Sequence, residues 1–107
     1  MPLPSISESL STLSTNSQLV SYTITIVTTP TVIEINNSSG RRRTIYIFND
    51  STTTNVYIGA SDVDTSKGLP CFPQTFFIPM TLEPRIKLYA VVQSGTAVLR
   101  VLETYHD

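Results

Sequence analysis

From residue 19 onward, apolar and polar positions alternate in short runs. Val20, Tyr22, Ile24 and Ile26 occupy every second place, with Ser21, Thr23 and Thr25 between them. That is the period-two pattern of a strand with one buried face. Pro30 interrupts, and residues 31–35 resume as a second strand before the turn cluster Asn36-Asn37-Ser38-Ser39-Gly40. Residues 43–48 form a third, setting Ile45 and Ile47 against Thr44, Tyr46 and Phe48. Asn49-Asp50-Ser51-Thr52 then turns the chain into residues 55–59. A loop through Gly68, Pro70 and Pro73 leads to residues 75–78, and Pro79 and Pro84 bracket a connection to residues 85–92. Ser94-Gly95 predicts a hairpin into residues 96–103. Six to eight short strands, with turn signals about every ten residues, predict an all-β fold: an antiparallel β-sandwich or small barrel. The predicted core is Ile24, Ile26, Ile45, Ile47, Val56, Ile58, Phe76, Ile78, Leu88, Ala90, Val98 and Val101.

Residues 1–18 follow another rule. Leu3, Ile6, Leu10 and Leu13 are three, four and three apart, which places four aliphatic side chains on one helical stripe. Ser5-Ile6-Ser7-Glu8 fits a capping box just after Pro4. Against a stable helix, Ser and Thr are mediocre helix formers and so short a helix is marginal alone. The segment therefore reads either as a disordered or extended arm or as one that orders on a neighbouring subunit, with Leu3, Ile6, Leu10 and Leu13 as partner contacts. The expected division is an N-terminal arm, residues 1–18, and a β-sandwich domain, residues 19–107.

At 107 residues the chain is long enough for one modest core. Only 14% of residues are charged, so Ser, Thr and Asn must supply much of the surface, which is unusual for a free cytosolic enzyme. A net charge of −1 gives no long-range attraction for nucleic acid or an anionic membrane. The single Cys71 excludes an internal disulfide framework. No apolar run approaches the roughly 20 residues needed to span a bilayer, and the first residues lack the basic and apolar blocks of a signal peptide. A soluble chain without an export signal is expected.

Candidate chemistry is sparse. His106, the only histidine, has no cysteine at metal spacing and is expected in solvent. Cys71, between Pro70 and Phe72, reads as a small buried hydrophobe without the basic neighbours of a reactive thiolate. Asp62, Asp64 and Ser66 alternate like the first ligands of a calcium loop, but the sixth place holds Lys67 and the twelfth Pro73. A polar turn bonding its own amides is the expected structure. Arg41-Arg42-Arg43 is the one basic cluster, too small for a nucleic-acid surface and placed to flank a strand edge or meet a partner's carboxylates. No catalytic residue, metal site or cofactor is expected.

Arg41-Arg42-Arg43-Thr44-Ile45-Tyr46-Ile47-Phe48-Asn49-Asp50, then Asn55-Val56-Tyr57-Ile58-Gly59 and residues 62–70, together with the close at residues 88–103, resemble a pattern of small structural proteins of tailed bacteriophages. The resemblance spans most of residues 22–103. This chain departs from it at Cys71-Phe72-Pro73-Gln74-Thr75-Phe76-Phe77, where the pattern usually carries a Gly-containing turn. The resemblance implies a virion structural protein, a capsid decoration (cement) protein bound to the major capsid protein and assembled in the host bacterial cytoplasm. It further implies a homo-oligomer, a trimer by the local threefold axes of a capsid. A neck, tail or fibre-attachment component is the alternative within that class, and a carbohydrate-binding β module the alternative outside it. In physical terms it implies Gly59 and Gly68 at tight backbone positions, and Tyr57 packed across the sandwich beside Tyr89.

Overall fold

The computed structural model describes residues 19–35 and 38–106. Leu3, Ile6, Leu10 and Leu13, and with them the proposed arm, lie outside the described residues. Among the described residues eight strands appear in chain order: β1 (Leu19–Ile26), β2 (Thr31–Val32), β3 (Arg42–Asn49), β4 (Val56–Gly59), β5 (Leu69–Cys71), β6 (Met80–Leu82), β7 (Tyr89–Val91) and β8 (Ala97–His106). They make two four-stranded sheets, β1-β8-β3-β6 and β2-β7-β4-β5, with every pairing antiparallel. Strands 1 to 4 thus lie beside 8, 7, 6 and 5 respectively. The chain behaves as one long hairpin with its tip between β4 and β5, wrapped so that alternate rungs fall in opposite sheets. This is the jelly-roll arrangement of a sandwich.

Apolar residues of the alternating runs, most of them β-branched, fill the space between the sheets. Ile26, Ile33, Ile45, Ile47, Val56, Ile58, Ala90, Leu99 and Val101 are buried, as expected for side chains that suit a pleated, half-covered surface. The predicted faces of β1, β3, β4 and β7 hold. Two others shift by one residue. Phe77, not Phe76 or Ile78, enters the core, and in β8 it is Leu99 rather than Val98. Tyr57 and Tyr89 do not cross the sandwich. They stand on the outer face of the second sheet, where Tyr57 pairs with Val91 and Tyr89 with Gly59.

Loop geometry explains several sequence signals. The loop between β4 and β5 folds back so that Val63, 4% exposed, rests on two glycines. A Cβ on Gly59 would come within 2.9 Å of the Val63 side chain, and one on Gly68 within 2.7 Å of the Tyr57 Cβ. Both positions need glycine because something else already occupies the space. Asn49, fully buried at the end of β3, donates to the carbonyls of Thr54 (2.8 Å) and Cys71 (2.9 Å) and accepts from the Ser51 amide (3.0 Å). It ties three segments together with its polar groups satisfied. Where the phage pattern carries a glycine turn, Gln74 adopts the left-handed conformation at φ 57°. Its amide donates to the Asn49 carbonyl and its side chain to the Asp50 carbonyl, bonds that offset an unfavourable backbone position.

Candidate interaction surface

The three arginines part company. Arg42 is exposed and sits 3.4 Å from Glu83. Arg41 places its guanidinium over the Tyr105 ring, 4.8 Å from the centroid, a cation–π contact. Arg43 has no exposure at all. It faces inward on β3 and meets Glu103 of β8 at 2.9 Å, both side chains wholly buried. The Arg43 Nε–H is not aligned on the Glu103 oxygen, so that contact is electrostatic. A second guanidinium nitrogen donates to the Ile86 carbonyl at 3.1 Å, and Tyr22 and Ser38 donate to the other Glu103 oxygen. Arg43 is therefore committed to its own domain and presents no charge to a partner. Tyr22's hydroxyl is driven far above its ordinary value, first by burial and then by the hydrogen bond to the Glu103 carboxylate.

The other candidate groups are also occupied locally. Asp64 accepts from the Ser66 amide (2.9 Å), the Ser66 hydroxyl (2.7 Å) and the Lys67 amide (3.0 Å), while Lys67 pairs with Asp62 at 2.9 Å. The hydrogen bond from Ser66 holds Asp64 below the usual carboxylate range, and the one from Lys67 does the same for Asp62. The loop is the self-bonded polar turn the sequence predicts. Cys71 is 2% exposed, and burial raises its thiol pKa. His106 differs from expectation: it is half-buried on the outside of β8, with Nε2 3.2 Å from the Thr44 hydroxyl.

The distinctive surface is the outer face of the sheet containing β1, β8, β3 and β6. Strand alternation puts Thr23, Arg100 and Phe48 in one row across it, and Ser21, Leu102 and Tyr46 in the next. Phe76 bridges to Phe48 from the segment before β6, with ring centroids 4.8 Å apart and planes tilted by 54°. These residues line an open groove of about 890 Å³. Phe76 and Ile78 are 78% and 73% exposed, and the Arg100–Asp50 pair, 3.0 Å apart, marks one rim. A cluster of large apolar side chains on one face marks an interaction site more often than scattered ones do. The sequence carried a signal for it: Tyr46 and Phe48 share the side of β3 opposite Ile45 and Ile47, aromatic residues where polar ones are the rule.

The sheet edges differ in kind. β2 has two residues, β5 three including Pro70, and β6 three between Pro79 and Pro84. Short length and proline blunt an edge against pairing. β1 has eight residues and no proline, and among the described residues nothing pairs with its outer side.

No protein-family model matches the sequence, and no curated protein matches it. Among solved structures the fold is similar to that of a protein of Bacillus endospore appendages, which form a novel family of disulfide-linked pili. The TM-score is 0.54 at 15% identity, over 84% of this chain and 86% of that one. This likeness, which concerns the fold, overturns the bacteriophage reading. The match is to a pilus protein, and the capsid-decoration role, the neck, tail or fibre alternative, the glycan-module alternative and the virion location have no support in it. The capsid partner falls likewise, and with it the reason for a trimer. The physical source of the error is plain: the residues carrying the phage resemblance are strand, turn and close-packing positions. They specify a small β-sandwich wherever one is used.

Proposed function

We propose that this chain is a non-enzymatic structural subunit that associates with copies of itself into a filament. The observation that carries the reading is the asymmetry of its edges. Three are blunted, while β1 offers, among the described residues, an open edge of eight residues beside a partly apolar outer face. Backbone groups on such an edge gain partners by adding a strand from another chain. The likeness to a pilus protein supports the same reading.

In one respect this chain departs from a disulfide-linked polymer. It has one cysteine, and that one is buried. A single thiol per subunit can join two copies but cannot propagate a covalent chain, so its assembly is held by non-covalent contacts. The test is sedimentation velocity across a concentration series, with negative-stain electron microscopy with and without reductant. Elongated assemblies that persist in reductant are expected. Monomer at every concentration up to the solubility limit overturns the subunit reading, and assemblies that dissolve in reductant overturn the non-covalent one.

A further inference from the structure

We infer that the aromatic groove on the outer face of β1-β8-β3-β6 is the seat for residues 1–18 of a neighbouring copy. The inference rests on the subunit reading above and names the contact that would propagate the filament.

Three observations converge on this occupant. The groove lining includes the large apolar side chains of Tyr46, Phe48, Phe76 and Leu102, and the first 18 residues carry the matching chemistry in Leu3, Ile6, Leu10 and Leu13. Burying aliphatic side chains against such a surface is favourable in proportion to the area removed from water. The charges also correspond. Glu8 is the one charged side chain in residues 1–18. At the groove rim Arg100, 66% exposed at its side chain, is held by Asp50 through Nε at 3.0 Å, while a guanidinium has further donors to offer a second carboxylate. The third observation is where the described chain begins. Leu19 opens β1 opposite Thr104 and Thr44, while the groove centres on the rows of Ser21 and Thr23. Tracing β1 backward from Thr23 to Leu19 therefore leads away from Phe48 and Phe76, off the far end of the sheet. Eighteen residues can reach up to about 60 Å when extended, enough to arrive at the next copy's groove.

A contact in which one copy's N-terminal segment enters another's groove is heterologous. Each subunit gives one surface and receives with a different one, so the contact repeats without closing unless the rotation happens to complete a ring. The same feature gives the chain its polarity.

The test uses the full chain with a photo-crosslinking phenylalanine analogue at position 10, prepared as an equal mixture of isotopically light and heavy protein. After irradiation of the assembled sample, crosslinked peptides are mapped by mass spectrometry. Mixed light–heavy crosslinks to peptides containing Phe48, Phe76 or Leu102 are expected. Crosslinks confined to one isotope show the segment folding onto its own groove and overturn the inference. Crosslinks to the β1 edge or to the other sheet overturn it while leaving self-association standing, and a sample that never assembles overturns the subunit reading itself. Independently, Leu10→Asp and Phe48→Ser should each raise the concentration needed for assembly by roughly tenfold or more, equivalent to about 1.4 kcal/mol per decade. Their double variant should be no worse than either alone, because both remove the same contact. Full additivity overturns the inference. Should Phe48→Ser fail to fold, Leu10→Asp and the crosslink map still decide it.

Discussion

A buried charge pair in a sandwich this small is the residue-scale feature with the largest energetic stake. Arg43 and Glu103 face each other with no exposure, and Tyr22 and Ser38 share the same carboxylate. Removing one partner strands the other in a medium that cannot solvate it, so Glu103→Gln is expected to cost about 3–5 kcal/mol, read as a lowered denaturation midpoint. Arg43→Met with Glu103→Leu should recover much of that loss, because the desolvation cost disappears with both charges. Tyr22 supplies a pH signature. Its pKa is raised above the ordinary tyrosine value, so the folded state holds a proton that the unfolded chain releases first. That contribution is complete below pH 10 and is lost as pH rises beyond it. A plot of stability against pH should fall on its alkaline side, and Tyr22→Phe should flatten that fall. Glycines give a second contrast. Gly68→Ala should destabilise by about 1–3 kcal/mol through overpacking against Tyr57 and Val63, whereas Gly40, with nothing within 4 Å of a Cβ, should accept alanine at little cost.

Strands were legible wherever polar and apolar positions alternated cleanly. Ile45 and Ile47 pointed inward as β3's pattern required, and truncating Ile47 to Ala should cost about 2–5 kcal/mol in a denaturation midpoint. Face assignment slipped in β8 and in the segment before β6, where apolar residues are consecutive: Phe76-Phe77-Ile78 and Val98-Leu99. Period two identifies the inside only when the outside is polar. Here the outer face of one sheet is itself apolar, so the interaction surface and the misread faces have one cause. Leu99→Ala should accordingly be costly, while Val98→Thr should fall within about 0.5 kcal/mol of the parent. The polar turn at Asp64 and the burial of Cys71 were readable because each depends on neighbours in sequence. The Arg43–Glu103 pair was not, since it joins residues 60 apart that meet only because β8 lies beside β3.

For the whole molecule, residue patterns identified the sandwich but not its use. Strand and turn chemistry is common to any jelly roll, whereas a filament depends on which edges and faces are left open, and those emerge only from the strand order. Cys71 offers a check at this scale. Its thiol is buried in the core, so it should resist a thiol reagent in native buffer and react fully in denaturant, both in dilute protein and in assemblies. Rapid labelling of the native protein would show that the core around β5 opens easily.

The nesting of strand pairs also bears on timing. β8 lies between β1 and β3, yet of these eight strands it is the last to be synthesised. Until residues 97–106 have left the ribosome, β1 and β3 have no common neighbour and their sheet has no centre. A protein is made at about 5–20 residues per second, so β1 waits several seconds for its neighbour β8. Contacts this far apart in sequence also fold slowly once they are available. Ribosome-stalled chains ending before Ala97 should therefore remain sensitive to protease, and resistance should appear abruptly once His106 has cleared the exit tunnel. The groove and the β1 edge are both built on that late strand, so neither exists on a nascent chain until β8 has joined β1 and β3.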